Sequence, residues 1–118
     1  MSQYVLTIDL KDDPAAIAAY REHHRHVWPE VLESLRRVGI VRMDIYLLAR
    51  RGVMVLETDG RDPLRCFALH KASSPRVAEW ETLMASLQEP PPGGAPGEWW
   101  TMMEPVFSLE EQAAATKR

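Results

Sequence analysis

The sequence predicts an α+β domain: one antiparallel β-sheet with helices on one of its faces. Three observations carry that prediction. Four stretches are rich in β-branched and apolar residues, helical stretches separate the first from the second and the third from the fourth, and only a short step joins the middle two. Tyr4 to Leu10 reads as the first strand, with Tyr4, Leu6 and Ile8 alternating with Val5, Thr7 and Asp9. Lys11-Asp12-Asp13-Pro14 then turns the chain into a helix, Asp13 as N-cap and Pro14 at the first helical position. Ala15 to His26 is helical by propensity. Pro29 cannot sit inside an unbroken helix, so Trp28-Pro29 predicts a kink or a fresh helix start. The second helix carries Val31, Leu32 and Leu35 and ends at Gly39, a good residue just past a C-cap.

Ile40 to Leu48 and Gly52 to Thr58, separated by Ala49-Arg50-Arg51, read as a hairpin. Asp59 to Pro63 makes a turn and a helix cap. Leu64 to Ala72 and Pro75 to Gln88 form two helical stretches broken at Ser73-Ser74-Pro75. The segment Glu89 to Gly97 holds four of the nine prolines and three of the six glycines, which marks a loop. Trp99 to Leu109 reads as the last strand, and Glu110 to Arg118 as a polar tail that frays. The order β-α-β-β-α-β, with each α a pair of short helices, is the split β-α-β arrangement of the ferredoxin-like fold. Its second sheet face is left bare in a monomer. Val5, Val41, Met54, Met102 and Met103 supply more apolar strand residues than one helical layer covers, which predicts a homodimer.

Length and composition narrow the function classes. At 118 residues the chain is one domain, taken as residues 1–109 followed by the tail 110–118. A net charge of −3 argues against a dedicated nucleic-acid or anionic-membrane binder. No run approaches a membrane span, and Met1-Ser2-Gln3-Tyr4 does not open a signal peptide, so a cytoplasmic protein is expected. One cysteine, Cys66, makes neither an internal disulfide nor a Cys-based zinc site. It lacks a nucleophile motif and reads as a small buried residue.

The densest polar cluster is Tyr20-Arg21-Glu22-His23-His24-Arg25-His26-Val27-Trp28-Pro29-Glu30. Tyr20 and His24 are four apart and share a helix face. Imidazole beside phenol is a proton-transfer pair; the alternative is a core Tyr20 with His24 bonded to backbone. His24 and His26 point about 200° apart on a helix and only His70 could join them, so no metal is expected. Glu79-Trp80-Glu81 suits a carbohydrate, the indole covering a sugar face and carboxylates accepting from hydroxyls, or else Trp80 is core and the glutamates are solvated. Trp99-Trp100 forms a dimer seam or a pocket rim. Glu57 and Glu104 fall on predicted strands and either line a pocket or face water. The sequence holds no glycine-rich nucleotide loop, nucleophile elbow or HExxH, which leaves cofactor-free proton transfer as the enzymatic class.

These residues resemble the L-rhamnose/L-fucose mutarotases over nearly the whole chain. The likeness rests on Tyr20-x-x-x-His24-x-x-x-Trp28-Pro29-Glu30, then Gly39, Ile45-Tyr46-Leu47, Trp80 and Met103-Glu104-x-x-Phe107-x-Leu109. It implies a ferredoxin-like dimer with two sheets packed into an α/β-barrel-like body. It also implies interconversion of the α and β anomers of a 6-deoxy-L-hexose, without metal or cofactor. Tyr20 and His24 fall on the family's tyrosine and catalytic histidine, and Trp80 on the first of two tryptophans lining the sugar pocket. Met43 stands in place of a pocket tyrosine and Glu81 in place of the second tryptophan. The Trp-Glu form goes with members assigned to L-fucose. With Tyr46 and Glu104, these residues form the expected substrate wall. Two other readings use the same fold: a cofactor-independent monooxygenase acting on an aromatic substrate, and a sugar-binding module without catalysis.

Overall fold

The computed structural model describes residues 2–95 and 98–116. The chain starts with β1 (Ser2–Leu10), followed by the helices α1 (Pro14–His23) and α2 (Pro29–Arg37). The hairpin β2 (Ile40–Leu48) and β3 (Arg51–Thr58) leads into α3 (Pro63–Lys71) and α4 (Pro75–Ala85). Two short strands, β4 (Gln88–Glu89) and β5 (Thr101–Met102), and a helix α5 (Leu109–Thr116) complete the described chain. The sheet order is β2-β3-β1-β4, all neighbours antiparallel, with β5 also pairing with β1.

Each helix of the two pairs begins at a proline, where the missing N–H costs nothing. Asp13 accepts from the Ala15 amide at 3.0 Å, Asp62 from Leu64 at 3.4 Å and Ser74 from Val77 at 3.2 Å. Pro29 does start a fresh helix, and Gly39 lies just beyond the α2 C-cap with φ +106°, a conformation open to glycine. The hairpin is tighter than predicted: Leu48 faces Arg51 across a two-residue turn. Ala49 takes φ +53° there, and Arg50 holds the turn in place by donating from Nε to the Leu10 carbonyl at 2.9 Å.

Strand alternation sorts the sheet into two faces. Leu6, Ile8, Leu10, Met54 and Leu56 are buried under the helices. All but Ile8 belong to two apolar clusters, one around Leu6, Met54, Leu56 and Cys66, the other around Leu10, Tyr20, Trp80 and Met84. Met54 is therefore under the helices and not on the bare face, because it pairs with Leu6 in register. The opposite face carries Val5, Val53 and Val55, with Tyr46 beside Val53 and Met103 bonded by its amide to the Val5 carbonyl.

The C-terminal segment departs from the expectation of a strand over Trp99 to Leu109. Ladder pairing covers Thr101–Met102 and the Met103 amide only. Pro105 has no N–H to give a ladder, which ends the strand and leaves Glu104 outside it. Leu109–Thr116 is helical where a fraying tail was expected. Ser108 accepts from the Glu111 amide at 3.2 Å, a Ser-x-x-Glu start with Glu110 and Glu111 near the positive helix end. The helical stretch read as reaching Gln88 stops at Ala85, and Gln88 pairs with Leu10 in the sheet. Pro96 and Gly97 of the proline loop, and Lys117 and Arg118 of the tail, lie outside the described residues.

Candidate active site

Between the helices and β2 lies a half-open cleft of about 1060 Å³, bordered by Tyr20, His24, Met43, His70, Trp80 and Glu81. α1 supplies the first two. The helix stops at His23 rather than continuing to His26, because Arg25 and His26 turn tightly with amides bonded to the Glu22 and His23 carbonyls. His24 is the C-cap, still helical in its backbone, so the four-residue spacing holds and the Tyr20 and His24 rings lie 4.3 Å apart between centroids.

His24 Nδ1 lies 2.8 Å from the Tyr20 carbonyl oxygen. A carbonyl only accepts, so Nδ1 carries the proton and a neutral His24 has its lone pair on Nε2. Burial lowers the His24 pKa from 6.5; the Tyr20 carbonyl pulls it back up, and the nearby His23 charge depresses it further. At neutral pH His24 is thus a free base. Tyr20 is 2% exposed. Burial pushes its phenol from 10.0 up to about 12, a hydrogen bond with Gln88 opposes that, and the Glu81 charge adds to it. Its hydroxyl keeps its proton and serves as a hydrogen-bond donor.

α4 places Trp80 and Glu81 on the cleft. The Trp80 ring meets His24 edge-on at 5.6 Å and Trp28 at 5.1 Å, and only 5% of the residue is exposed. It is both core and wall. The Arg76 guanidinium lies over the Trp28 ring, 3.5 Å from its centroid, which suits a structural wedge. Glu81 is half-buried, and burial raises its carboxyl, while Lys71 draws it down. Met43 pairs with Leu56 and faces the helices from β2. Among the described residues, no three His, Cys, Asp or Glu side chains group as a metal ion requires.

Two expected residues stand apart. Tyr46 borders the cleft along β2, but its register with Val53 puts the side chain on the opposite sheet face, 59% exposed. Glu104 is exposed beyond β5 and outside the cleft lining. Of the neighbouring aromatics, Trp100 packs on the Leu6 cluster at the rim, and Trp99 is 39% exposed. Glu57 does not border the cleft and pairs at 3.7 Å with Arg42, which does. Gln88, buried against the Tyr20 hydroxyl, was not foreseen. A reading that put it on a helix could not aim it there.

The architecture has known counterparts. An L-rhamnose mutarotase from Formosa agariphila superposes with a TM-score of 0.65 at 18% identity, over 92% of this chain and 99% of that one. A dimeric ferredoxin-like protein from an uncultured marine organism does so with 0.52 at 14% identity, over 90% of each chain. The fold is ferredoxin-like. A family model described as L-rhamnose mutarotase matches residues 3–109. An L-fucose mutarotase of Xanthomonas campestris pv. campestris is 40% identical over 114 residues, which is 94% of this chain and 90% of that protein. An L-rhamnose mutarotase of Jannaschia sp. is 26% identical over 111 residues, covering 92% and 99%. The chain belongs to the L-rhamnose mutarotase family.

Proposed function

We propose that the protein is a mutarotase, an isomerase that interconverts the α and β anomers of a 6-deoxy-L-hexose, with L-fucose favoured over L-rhamnose. The observation that carries the reading is the tautomer of His24: its Nδ1 proton is committed to the Tyr20 carbonyl, leaving Nε2 as a base beside the cleft. Ring opening needs a proton taken from the anomeric hydroxyl and one delivered to the ring oxygen, and closing reverses both. His24 takes and returns the anomeric proton. Tyr20, holding its own proton, orients the sugar by donating a hydrogen bond. Trp80 offers a flat apolar wall for the C–H face of the ring, Glu81 accepts from a hydroxyl, and Met43 widens the wall. Tyr46 and Glu104 do not face the cleft of their own protomer and are left out of this set.

The preference for L-fucose rests on Met43 and Glu81, and the 40% identical relative named for that sugar supports it. The bare sheet face suits a second copy of the chain: Val5, Val53, Val55, Tyr46 and Met103 form an apolar patch that would pair two sheets. Among the described residues no helix is long and apolar enough to cross a membrane, and the free, buried Cys66 suits a reducing cytoplasm. Anomer exchange measured by NMR saturation transfer, with L-fucose and L-rhamnose in turn, tests the activity. Acceleration greater for L-fucose is expected. Binding of either sugar without acceleration would favour a binding module, and quinol-dependent oxygen uptake would favour a monooxygenase. Sedimentation at equilibrium tests the dimer, with a single-chain mass as the contradicting result.

A further inference from the structure

Beside Glu81 the cleft is lined by His70, which ends a hydrogen-bonded chain that His24 chemistry does not use. Ser73 Oγ lies 2.7 Å from the His70 carbonyl oxygen, which can only accept, so the Ser73 proton is spent there. Ser34 Oγ lies 2.9 Å from Ser73 Oγ, and its proton therefore goes to Ser73. That leaves the Ser34 oxygen to accept from His70 Nδ1, 2.8 Å away. Three bonds, each forced by the one before, place the proton of a neutral His70 on Nδ1. The lone pair is then on Nε2, which points towards Glu81 Oε1 at 4.0 Å.

A bare imidazole nitrogen facing a carboxylate is two acceptors with no donor between them. One added proton turns the clash into an attraction, whichever partner holds it. Burial works the same way on both, lowering His70 from 6.5 and raising Glu81 from 4.5, so their affinities for that proton converge. The other groups facing the pair do not supply it. Ser34 on α2 and Ser73 beyond α3 are neutral and committed, Lys71 on α3 draws the Glu81 carboxyl down, and the Tyr20 phenol on α1 stays protonated.

We propose that His70 is a positioning residue that, fixed by Ser34 and Ser73, shares one proton with Glu81, and that this pair is the second proton-transfer group of the mutarotation. The proposal rests on the mutarotase reading. In ring opening, His24 Nε2 takes the O1 proton, and the O1–H electron pair becomes the second bond of the C1 carbonyl. The C1–O5 bond breaks, its pair goes to O5, and O5 takes the shared proton from Glu81. His24 is left protonated and Glu81 ionised; closure on the other face of C1 returns both protons.

Two measurements test this. The first follows the His70 imidazole by NMR titration in the wild type and in Glu81→Gln. Loss of the carboxylate is expected to move the His70 midpoint to lower pH, and an unchanged midpoint overturns the pair. The second measures anomer exchange on L-fucose for Glu81→Gln, His70→Asn and the double variant. An asparagine amide can replace Nδ1–H towards Ser34 while removing Nε2, so the structural bond is kept. Each single variant is expected to lose roughly 10²-fold in kcat, with little change in KM, and the double variant to be no slower than Glu81→Gln. Undiminished kcat in His70→Asn, or losses that multiply, overturns the proposal. A wild type that fails to accelerate exchange contradicts the mutarotase reading and the catalytic role with it, while the titration decides the pair by itself.

Discussion

Replacing Tyr20 by Phe separates a hydrogen-bond donor from a proton carrier. Tyr20 is 2% exposed, and its phenol is pushed from 10.0 up to about 12. Those two values disfavour the phenolate by roughly 3 kcal/mol relative to water, with desolvation as the leading cause. Near neutral pH the anion is then only about one part in 10⁵ of the population, too rare to carry turnover as a base. What Tyr20→Phe removes is one hydrogen bond to the sugar, a loss of about 1–2 kcal/mol, or roughly 5- to 30-fold in kcat/KM. Gln88 loses its partner in the same step, so thermal stability falls by about 1 kcal/mol as well. Saturation-transfer exchange rates measured across pH are the assay. The expected result is a uniformly lowered profile with the acid limb of His24 in place. A loss of 10⁴-fold, or the disappearance of an ionisation from the profile, would refute the reasoning and make Tyr20 a proton carrier.

Other predictions follow from single observations. Gly39→Ala places a Cβ 2.7 Å from Asp59 Oδ1 on a backbone with φ +106°, so urea unfolding is expected to show a loss of about 1–2 kcal/mol with unchanged slope; a neutral effect would contradict the backbone argument. Because burial lowers His24 below 6.5, the unfolded chain binds its proton more tightly than the folded one. Its contribution to stability is therefore lost as pH falls below 6.5. The melting temperature of wild type should drop towards, or below, that of His24→Ala over that range, and a gap that widens on acidification would reverse the sign. Ala49→Gly should stabilise the hairpin by a few tenths to about 1 kcal/mol, since glycine meets φ +53° without a Cβ penalty.

How much of this was legible before the structure differs by element. The helix starts were, because Asp13-Pro14, Trp28-Pro29, Asp62-Pro63 and Ser74-Pro75 are local signals whose chemistry needs no tertiary partner. The Tyr20–His24 contact was too, since a four-residue step on a helix determines it whatever packs around. Which face Met54 takes was not legible, because an apolar strand residue points to one face or the other according to register, which a single strand does not reveal. The last strand was overextended because β-rich composition outweighed the missing N–H of Pro105. The helix after Ser108 was signalled by Ser108-Leu109-Glu110-Glu111 and was read only as polarity. His70 and Gln88 come from distant elements, and no sequence spacing could have brought them to the cleft or Ser34 to His70.

The central claim is that His24, as a neutral base with its proton held on Nδ1, opens and closes the ring of a 6-deoxy-L-hexose. Anomer exchange of L-fucose by saturation transfer, in wild type and His24→Ala at equal concentration, tests it most directly. The account predicts clear acceleration by the wild type and a fall of at least about 10²-fold in the variant. Equal acceleration by both proteins would contradict it.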